Sequence, residues 1–596
     1  MVMKRSCTPK LFTPIALLIS TLIFVSCSKN LSRVNHKETV AIHVDSSALA
    51  PIPVQVSRPV AIDTVAYAFK NRSSIVNSPY FSQRVAAKLI QFYRGKGFQS
   101  QWLFDHAPAA HYYSVINILK NADRYGLVPA DYDVRSIEER LNTLYKNTSG
   151  FGAEIAELDI HITEMYFLFT THLVEGKIRN VGNGRNIWKR PGKEINMADV
   201  SLLLAAEAPH QLEESLQKLQ PANEQYSRLQ KALVHYRSLE NSAPNNLPIL
   251  MSGKKIVPME RNSAIPLIRK KLSLTDLKVY SMPFDSTTGL MDSLKYDPVL
   301  VDAVRLFQMR HGLEADGIIG DKTLKFMNQS FGEMADVIAL NMERMRWLPQ
   351  DYGDNYILVN IPEYKLRVYQ KQNQELEMKV IVGSSQTATP IFSDVLAHIV
   401  FSPTWTVPTS IIKGEIIPHL KANPEYYSNK NYTFFKNEMP FDPATENWDS
   451  AALNPYQYRV IQNPGPDNSL GLVKFVMPNN MSVYLHDTPN HRLFSKDYRA
   501  LSHGCVRLAD PGRFAEYLLR DQSGWTGERI SKAMNNSTPY TIPLKKEYKV
   551  HLEYRTAWVD DDGVINFRED IYGHDRKQLT QLLPVVNNSS VLLGME

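Results

Sequence analysis

Tyr484-Leu485-His486-Asp487-Thr488-Pro489 and, after a spacer of fifteen residues from that histidine, Ser502-His503-Gly504-Cys505-Val506-Arg507 are the stretches on which the reading of this chain turns. Thiol catalysis needs four things in one place: a sulfur, a base that reaches it, something that orients the base, and backbone N–H groups that meet a developing oxyanion. Cys505 supplies the sulfur, and His486 and His503 are both candidates for the base. Gly504 carries no side chain, so the backbone beside the sulfur is open to a substrate carbonyl. The N–H groups of Gly504 and Cys505 are then the natural oxyanion donors. A lone cysteine with scattered histidines is a weak signal. Ser-His-Gly-Cys with a histidine at the end of an upstream strand is a strong one.

The chain has only three cysteines, Cys7, Cys27 and Cys505. Lys4, Arg5 and Lys10 precede an apolar run from Leu11 to Val25, which is short for a membrane span. Phe24-Val25-Ser26-Cys27 closes that run and resembles a bacterial lipobox, which implies that Cys27 is acylated and becomes the mature N-terminus. An uncleaved anchor helix or a plain secretory signal are the alternatives, and all three place the protein outside the cytoplasm. With Cys7 removed and Cys27 lipidated, Cys505 is a single thiol with no disulfide partner.

Moving outward from the thiol, Ile357, Val359 and Ile361 alternate, as do Leu366 and Val368; Val380-Ile381-Val382-Gly383, Val473 with Phe475, and Val483 with Leu485 follow. Period 2 predicts a β-rich domain over 353–545. Within it, 409–455 is rich in aromatic and polar residues and reads as a cap over the site. A C-terminal β segment and tail occupy 546–596, and Asp510-Pro511 starts a capped helix. Upstream, 333–352 reads as a linker helix stopped by Pro349. In 260–332, Asp297-Pro298 begins a helix with Leu300, Ala303, Val304 and Phe307 on one face, Gly312 closes it, and Asp321 is expected to cap a last short helix. Helical periodicity dominates 76–245, with Ile155, Leu158, Ile162, Met165, Tyr166 and Phe169 forming one stripe. Residues 27–75 read as a tether behind a signal segment at 1–26. The predicted fold class is multidomain α+β: a helical scaffold, a small three-helix module and a β-rich domain with an inserted cap.

Ala303-Val304-Arg305-Leu306-Phe307-Gln308, His311-Gly312-Leu313, Asp316-Gly317-Ile318-Ile319-Gly320 and Thr323-Leu324 together resemble the three-helix peptidoglycan-binding domain of cell-wall enzymes. The region of Cys505 resembles the L,D-transpeptidase catalytic domain, of the YkuD type, in its His, fifteen-residue spacer and Ser-His-Gly-Cys. The likeness extends through Trp405-Thr406-Val407-Pro408, the run 462–471, Lys474-Phe475 and Tyr554 to Trp558. The domain order is similar to that of the large multidomain YcbB-like subgroup. The resemblance implies Cys505 as nucleophile, His486 as its base oriented by the Asp487 carbonyl, and His503 in support. It further implies Gly504 and Cys505 as oxyanion donors, and Arg507, Ser502, Asp487, Tyr484 and Trp405 as substrate contacts. It implies peptidoglycan stem peptides as partners, no cofactor, a 3→3 cross-link made through a thioester, and acylation of Cys505 by carbapenems. Hydrolysis by the same site, or wall binding without catalysis, are the other readings.

The bulk numbers exclude more than they assign. A net charge of +6 over 596 residues, three of those positives in the signal segment, is no nucleic-acid footprint. No His-Glu-x-x-His motif occurs, so no metallopeptidase is implied and no metal ligand is expected. A papain-like enzyme carries its cysteine before its histidine, the reverse of the order here. Ser28 after Cys27, by analogy with lipoprotein sorting, favours a lipid anchor in the outer membrane and a periplasmic location.

Overall fold

The computed structural model describes residues 58–61, 89, 91–146, 151–179, 181, 188–189, 195, 209–240, 247–251, 253, 255–275 and 292–583, the last run without 350, 428, 429, 452 and 453. The chain divides into Met1–Val56 and Ser57–Glu596. The signal segment, Cys7, Cys27 and most of the tether lie outside the described residues. The tether ends earlier than expected, because β1 (Pro59–Ala61) pairs antiparallel with β2 (Gln99–Phe104). Among the described residues no helix is long and apolar enough to cross a membrane.

The scaffold is built on α1 (Ala110–Lys120), α2 (Phe151–Glu175) and α3 (Glu224–Leu239). All six residues of the predicted stripe on α2 are buried. So is Asp159 on the same helix, whose carboxylate accepts the backbone N–H groups of Gln101, Trp102 and Leu103 and the Tyr93 hydroxyl. One buried carboxylate thus satisfies three N–H groups in the middle of β2, donors that would otherwise be costly to bury.

The small module holds α4 (Ile265–Ser273), α5 (Pro298–Arg310) and α6 (Asp321–Met327) around its own apolar core. Asp297 caps α5 by accepting from Val299 and Leu300, and Gly312 adopts the left-handed φ of 67° beyond its end. Asp321 is not a cap: Gly320 stands at that position, and Asp321 is the first helical residue, where its charge suits the helix N-terminus. The linker helix starts and ends earlier than expected. α7 (Phe331–Arg346) starts at a capping box of Ser330 and Glu333 and is buried along its second half. There the fully buried Arg346–Glu343 pair meets the scaffold, Arg346 donating to Tyr226 and Glu343 accepting from the Ile178 N–H.

The β-rich domain is one mixed sheet ordered β16-β7-β12-β13-β15-β5-β4-β3-β17-β6, with β14 attached to β5. Its strands are β3 (Asn355–Asn360), β4 (Lys365–Gln370), β5 (Asn373–Gly383), β6 (Phe392–Val395), β7 (His398–Phe401), β12 (Val473–Val476), β13 (Leu485–His486), β14 (Ala500–Ser502), β15 (Val506–Leu508), β16 (Tyr540–Pro543) and β17 (Lys549–Glu553). The boundary expected at 545 does not exist. β17 comes from the C-terminal segment and lies between β3 and β6, with Val550 and Leu552 buried. A further hairpin, β18 (Ala557–Val559) with β19 (Ile565–Phe567), brings Phe567 onto His311 of the small module, ring centroids 5.5 Å apart.

The cap is a folded subdomain wider than 409–455. β8 (Trp405–Thr406), β9 (Tyr432–Lys436), β10 (Met439–Phe441) and β11 (Tyr458–Gln462) form a separate sheet, β10-β9-β11-β8. With the helical run Thr409 to Ala422 they enclose a core of Ile412, Ile416, Leu420, Phe434, Trp448 and Tyr458. The aromatic residues that made this stretch unlike its flanks are that core.

Candidate active site

β12, β13 and β15 lie side by side, with Lys474 opposite His486 and His486 opposite Arg507. Residues at matched register share a sheet face, so these three side chains form one row, a cation on each side of the imidazole. Burial, and then the Arg507 guanidinium, push His486 down to about 3, while the backbone carbonyls of Asp487 and Leu470 oppose the shift. His486 is 4 % exposed, and its Nδ1 has no hydrogen-bond partner among the described residues. The Asp487 carbonyl therefore acts on the ring without a well-formed hydrogen bond.

Cys505 sits immediately before β15 and is partly exposed. Its thiol donates to the Ser482 carbonyl at 3.6 Å, and Ser482 holds the left-handed φ of 56° that turns this carbonyl toward the sulfur. Burial raises the Cys505 thiol; hydrogen bonds from the Tyr484 backbone and hydroxyl, and the charges of Arg507 and Lys474, work against that. The Tyr484 hydroxyl bears on the sulfur and is itself acted on by the Trp405 indole, so the surroundings of the thiol extend to the first strand of the cap. Lys474 Nζ stands 4.9 Å from the centre of the Tyr484 ring, and the rings of Tyr484 and His486 are 5.7 Å apart. No hydrogen bond joins Cys505 to His486 among the described residues. Both groups are held in their uncharged forms, a resting thiol and a neutral imidazole rather than an ion pair.

The turn carrying the sulfur is stapled by Ser502, whose hydroxyl donates to the Cys505 carbonyl at 2.6 Å and accepts the Gly504 N–H at 3.1 Å. Two expectations change here. Ser502 is 3 % exposed and serves the turn instead of a substrate, and the Gly504 N–H is already taken. The Cys505 N–H, in contrast, donates to nothing among the described residues and remains available to an oxyanion. Gly504 has φ 120°, which only glycine adopts without strain.

A loop that sequence reasoning missed holds this turn from behind. Thr389 Oγ1 donates to the Gly504 carbonyl and accepts from the Gly383 N–H, each at 2.8 Å. Ser384 N–H and Thr387 Oγ1 both reach the Ser502 carbonyl at 2.9 Å. A Cβ on Gly383 would meet the Thr387 carbonyl oxygen at 2.1 Å, so glycine at the end of β5 is what lets the loop fold back. The one signal in the sequence was that glycine, closing Val380-Ile381-Val382.

Asp487 is also reassigned by its surroundings. It is 3 % exposed, its Oδ2 accepts the Leu472 N–H at 2.8 Å, and its Oδ1 faces His491 Nε2 at 3.3 Å. Its carboxylate fills the space above Gly471, where a Cβ would come within 2.4 Å, so it pins a loop rather than facing a substrate. His503 is half-exposed and points to the cap, its Nε2 standing 2.8 Å from Glu415 Oε1 on the helical run Ile412–Ile416. Glu415 carried no mark in the sequence, since nothing local distinguishes it from a solvated acid. Among the described residues no group of three or more His, Cys, Asp or Glu is placed to hold a metal ion.

Comparison with known proteins follows the same division of the chain. The family described as "L,D-transpeptidase catalytic domain" matches residues 354–575, a "Scaffold domain" matches 87–233, and a "Putative peptidoglycan binding domain" matches 280–327. A protein of Haemophilus influenzae named "Putative L,D-transpeptidase" is 39% identical over 241 residues, which are 40% of this chain and 48% of that protein. The chain thus spans about half the length of this curated relative. Among solved structures, an L,D-transpeptidase from Mycobacterium smegmatis is 12% identical, with a TM-score of 0.18 over 34% of this chain and 58% of its own. One from Xylanimonas cellulosilytica is 11% identical, with a TM-score of 0.17 over 51% of this chain and 98% of its own. The family match spans the sheet and the Cys505 turn, so residues 354–575 are similar to an L,D-transpeptidase catalytic domain, on a chain that also matches a scaffold domain and a putative peptidoglycan binding domain.

Proposed function

We propose that the protein is an exported, lipid-anchored acyltransferase of the cell wall that forms 3→3 peptidoglycan cross-links through a thioester on Cys505. The observation that carries this reading is the Cys505 turn: an accessible sulfur whose own N–H is unpaired, beside a neutral imidazole. In the first half-reaction Cys505 Sγ attacks the amide carbonyl between the third residue of a tetrapeptide stem and its terminal D-Ala. The thiol proton passes to His486, the Cys505 N–H meets the oxyanion, and His486 returns the proton to the departing D-Ala amine. In the second, the side-chain amine of a neighbouring stem's third residue attacks the thioester, loses its proton to His486, and the thiolate leaves. The thioester conserves the energy of the broken amide, which suits a compartment without nucleotide triphosphates.

The cap fits the need to keep water from that thioester: it reaches the sulfur through Trp405 and Tyr484, and the Ser-His-Gly-Cys turn through Glu415 and His503. Cys27 would hold the protein on the periplasmic face of a membrane, the outer one by the sorting analogy. To test the reading, the protein and its Cys505→Ala variant are incubated with tetrapeptide muropeptides, and products are resolved by mass. Cross-linked dimer with loss of D-Ala, absent from the variant, is expected. Tripeptide alone would make the enzyme a carboxypeptidase, and neither product, with binding to sacculi intact, would leave a wall-binding scaffold.

A further inference from the structure

We infer that Lys474 and Arg507 form a two-cation clamp for the terminal carboxylate of the donor stem, making Lys474 a residue that selects stems ending one residue beyond the scissile amide. The inference rests on the reading of Cys505 as the acyl-transfer centre for stem peptides.

Several cations drawn out of water among the described residues are partnered. Arg344 pairs with Asp575, Arg346 with Glu343, Arg367 with Glu363 and Arg555 with Glu553. Arg499 and Arg568, without acids, donate to backbone carbonyls. Burying a charge without a partner is expensive, so this pattern is what physics requires. Lys474 and Arg507 break it. Among the described residues neither makes an ion pair or a hydrogen bond, and Arg507 Nε is sealed from solvent with no acceptor. Burial lowers the pKa of both, and the one group that draws each back up is Cys505.

Two acids beside the site are already engaged, Asp487 by Leu472 and His491, and Glu415 by His503. The charge count then points to a ligand. With Cys505 a thiol and His486 neutral, or with the proton passed from one to the other, the catalytic pair carries no net charge and compensates neither cation. A stem ending in D-Ala carries its carboxylate one residue past the carbonyl that the sulfur attacks, and so delivers a negative charge beside them. A stem extended by one more residue has an uncharged amide at that position and would leave both cations unpaired. The guanidinium offers a planar fork to the carboxylate, whereas the ammonium, over the Tyr484 ring, acts as a point charge.

The test uses the full chain and two small electrophiles of similar size, anionic iodoacetate and neutral iodoacetamide. Their rates at Cys505 are taken as a ratio and divided by the same ratio for a free thiol. The wild-type value should exceed one at low salt and fall as salt is added. Lys474→Met, by removing a charge that favours the thiolate, should slow both reagents, but it should lower this ratio about fivefold or more, and Lys474→Arg should restore most of it. In parallel, Lys474→Met should cut kcat/KM for a tetrapeptide donor more than for its C-terminal amide. A wild-type ratio at or below one, or a folded Lys474→Met with an unchanged ratio, would overturn the clamp. Alkylation needs no acyl transfer, so a chain that makes no cross-link can still pass or fail this test.

Discussion

Replacing Ser502 by alanine separates what the Cys505 turn does for acyl transfer from what it does for the thiol itself. The Ser502 hydroxyl makes two hydrogen bonds inside the turn, to the Cys505 carbonyl at 2.6 Å and from the Gly504 N–H at 3.1 Å. Each is worth about 1 kcal/mol net, so the staple holds the turn closed by about 2 kcal/mol. If the whole of that is spent keeping the Cys505 N–H aimed at the oxyanion, acylation slows by about 30-fold. Alkylation by iodoacetamide displaces iodide at a saturated carbon and develops no oxyanion, so it should change less than about twofold. Ser502→Thr keeps the hydroxyl and should acylate within a few-fold of the parent. Acylation by a stem donor and alkylation are followed side by side by intact mass. Equal losses in both, or no loss in either, would refute the assignment of Ser502 as the staple of an oxyanion-binding turn.

Three further outcomes follow from the same geometry. The iodoacetamide rate at Cys505 should climb with pH through and beyond the ordinary thiol range near 9, with no plateau between about pH 5 and 8. His486, pushed down to about 3, is already neutral across that window, and the thiol, raised by burial, is still protonated. A plateau there would reveal an imidazolium–thiolate pair and contradict the uncharged resting state. Replacing residues 405–462 by a short linker should raise hydrolysed tripeptide relative to dimer, and an unchanged product ratio would remove the water-excluding role of the cap. Glu343→Ala leaves Arg346 fully buried without its carboxylate and strips the Ile178 N–H of its acceptor, a loss of about 3–5 kcal/mol in chemical denaturation. A loss under about 1 kcal/mol would mean the joint between α7 and the scaffold does not rest on that pair.

What was legible in the sequence was whatever local pattern encodes. Period-2 alternation marked β3 and β4, the stripe on α2 marked its buried face, and Asp297 and Asp510 announced helix starts that the structure retains. The spacing of His486 and Ser-His-Gly-Cys located the site because His486 lies on β13 and Cys505 immediately before β15, strands that the fold sets side by side. What escaped were features made by distant segments. β17 enters the sheet from beyond an apparent boundary, because a two-sided strand of five residues looks like any short apolar run. The Thr387–Thr389 loop acts through hydroxyls on the backbone of distant segments, and Ser482 through its backbone geometry, neither of which residue types report. Asp487 and Ser502 were read as substrate contacts because they flank the catalytic pair. Polar residues packed that tightly beside a nucleophile are often consumed in shaping its turn, as both are here. The cap's aromatic residues signalled a difference from the flanking strands, but not that they formed a core of their own.

The central claim is a covalent acyl-enzyme on Cys505, and rapid mixing of the full chain with a tetrapeptide stem followed by intact mass tests it most directly. The account predicts a transient adduct of the stem minus D-Ala, labile to hydroxylamine, located at Cys505 by peptide mapping, and absent from Cys505→Ala. Products forming with no adduct at any time, or an adduct that survives in Cys505→Ala, would contradict it.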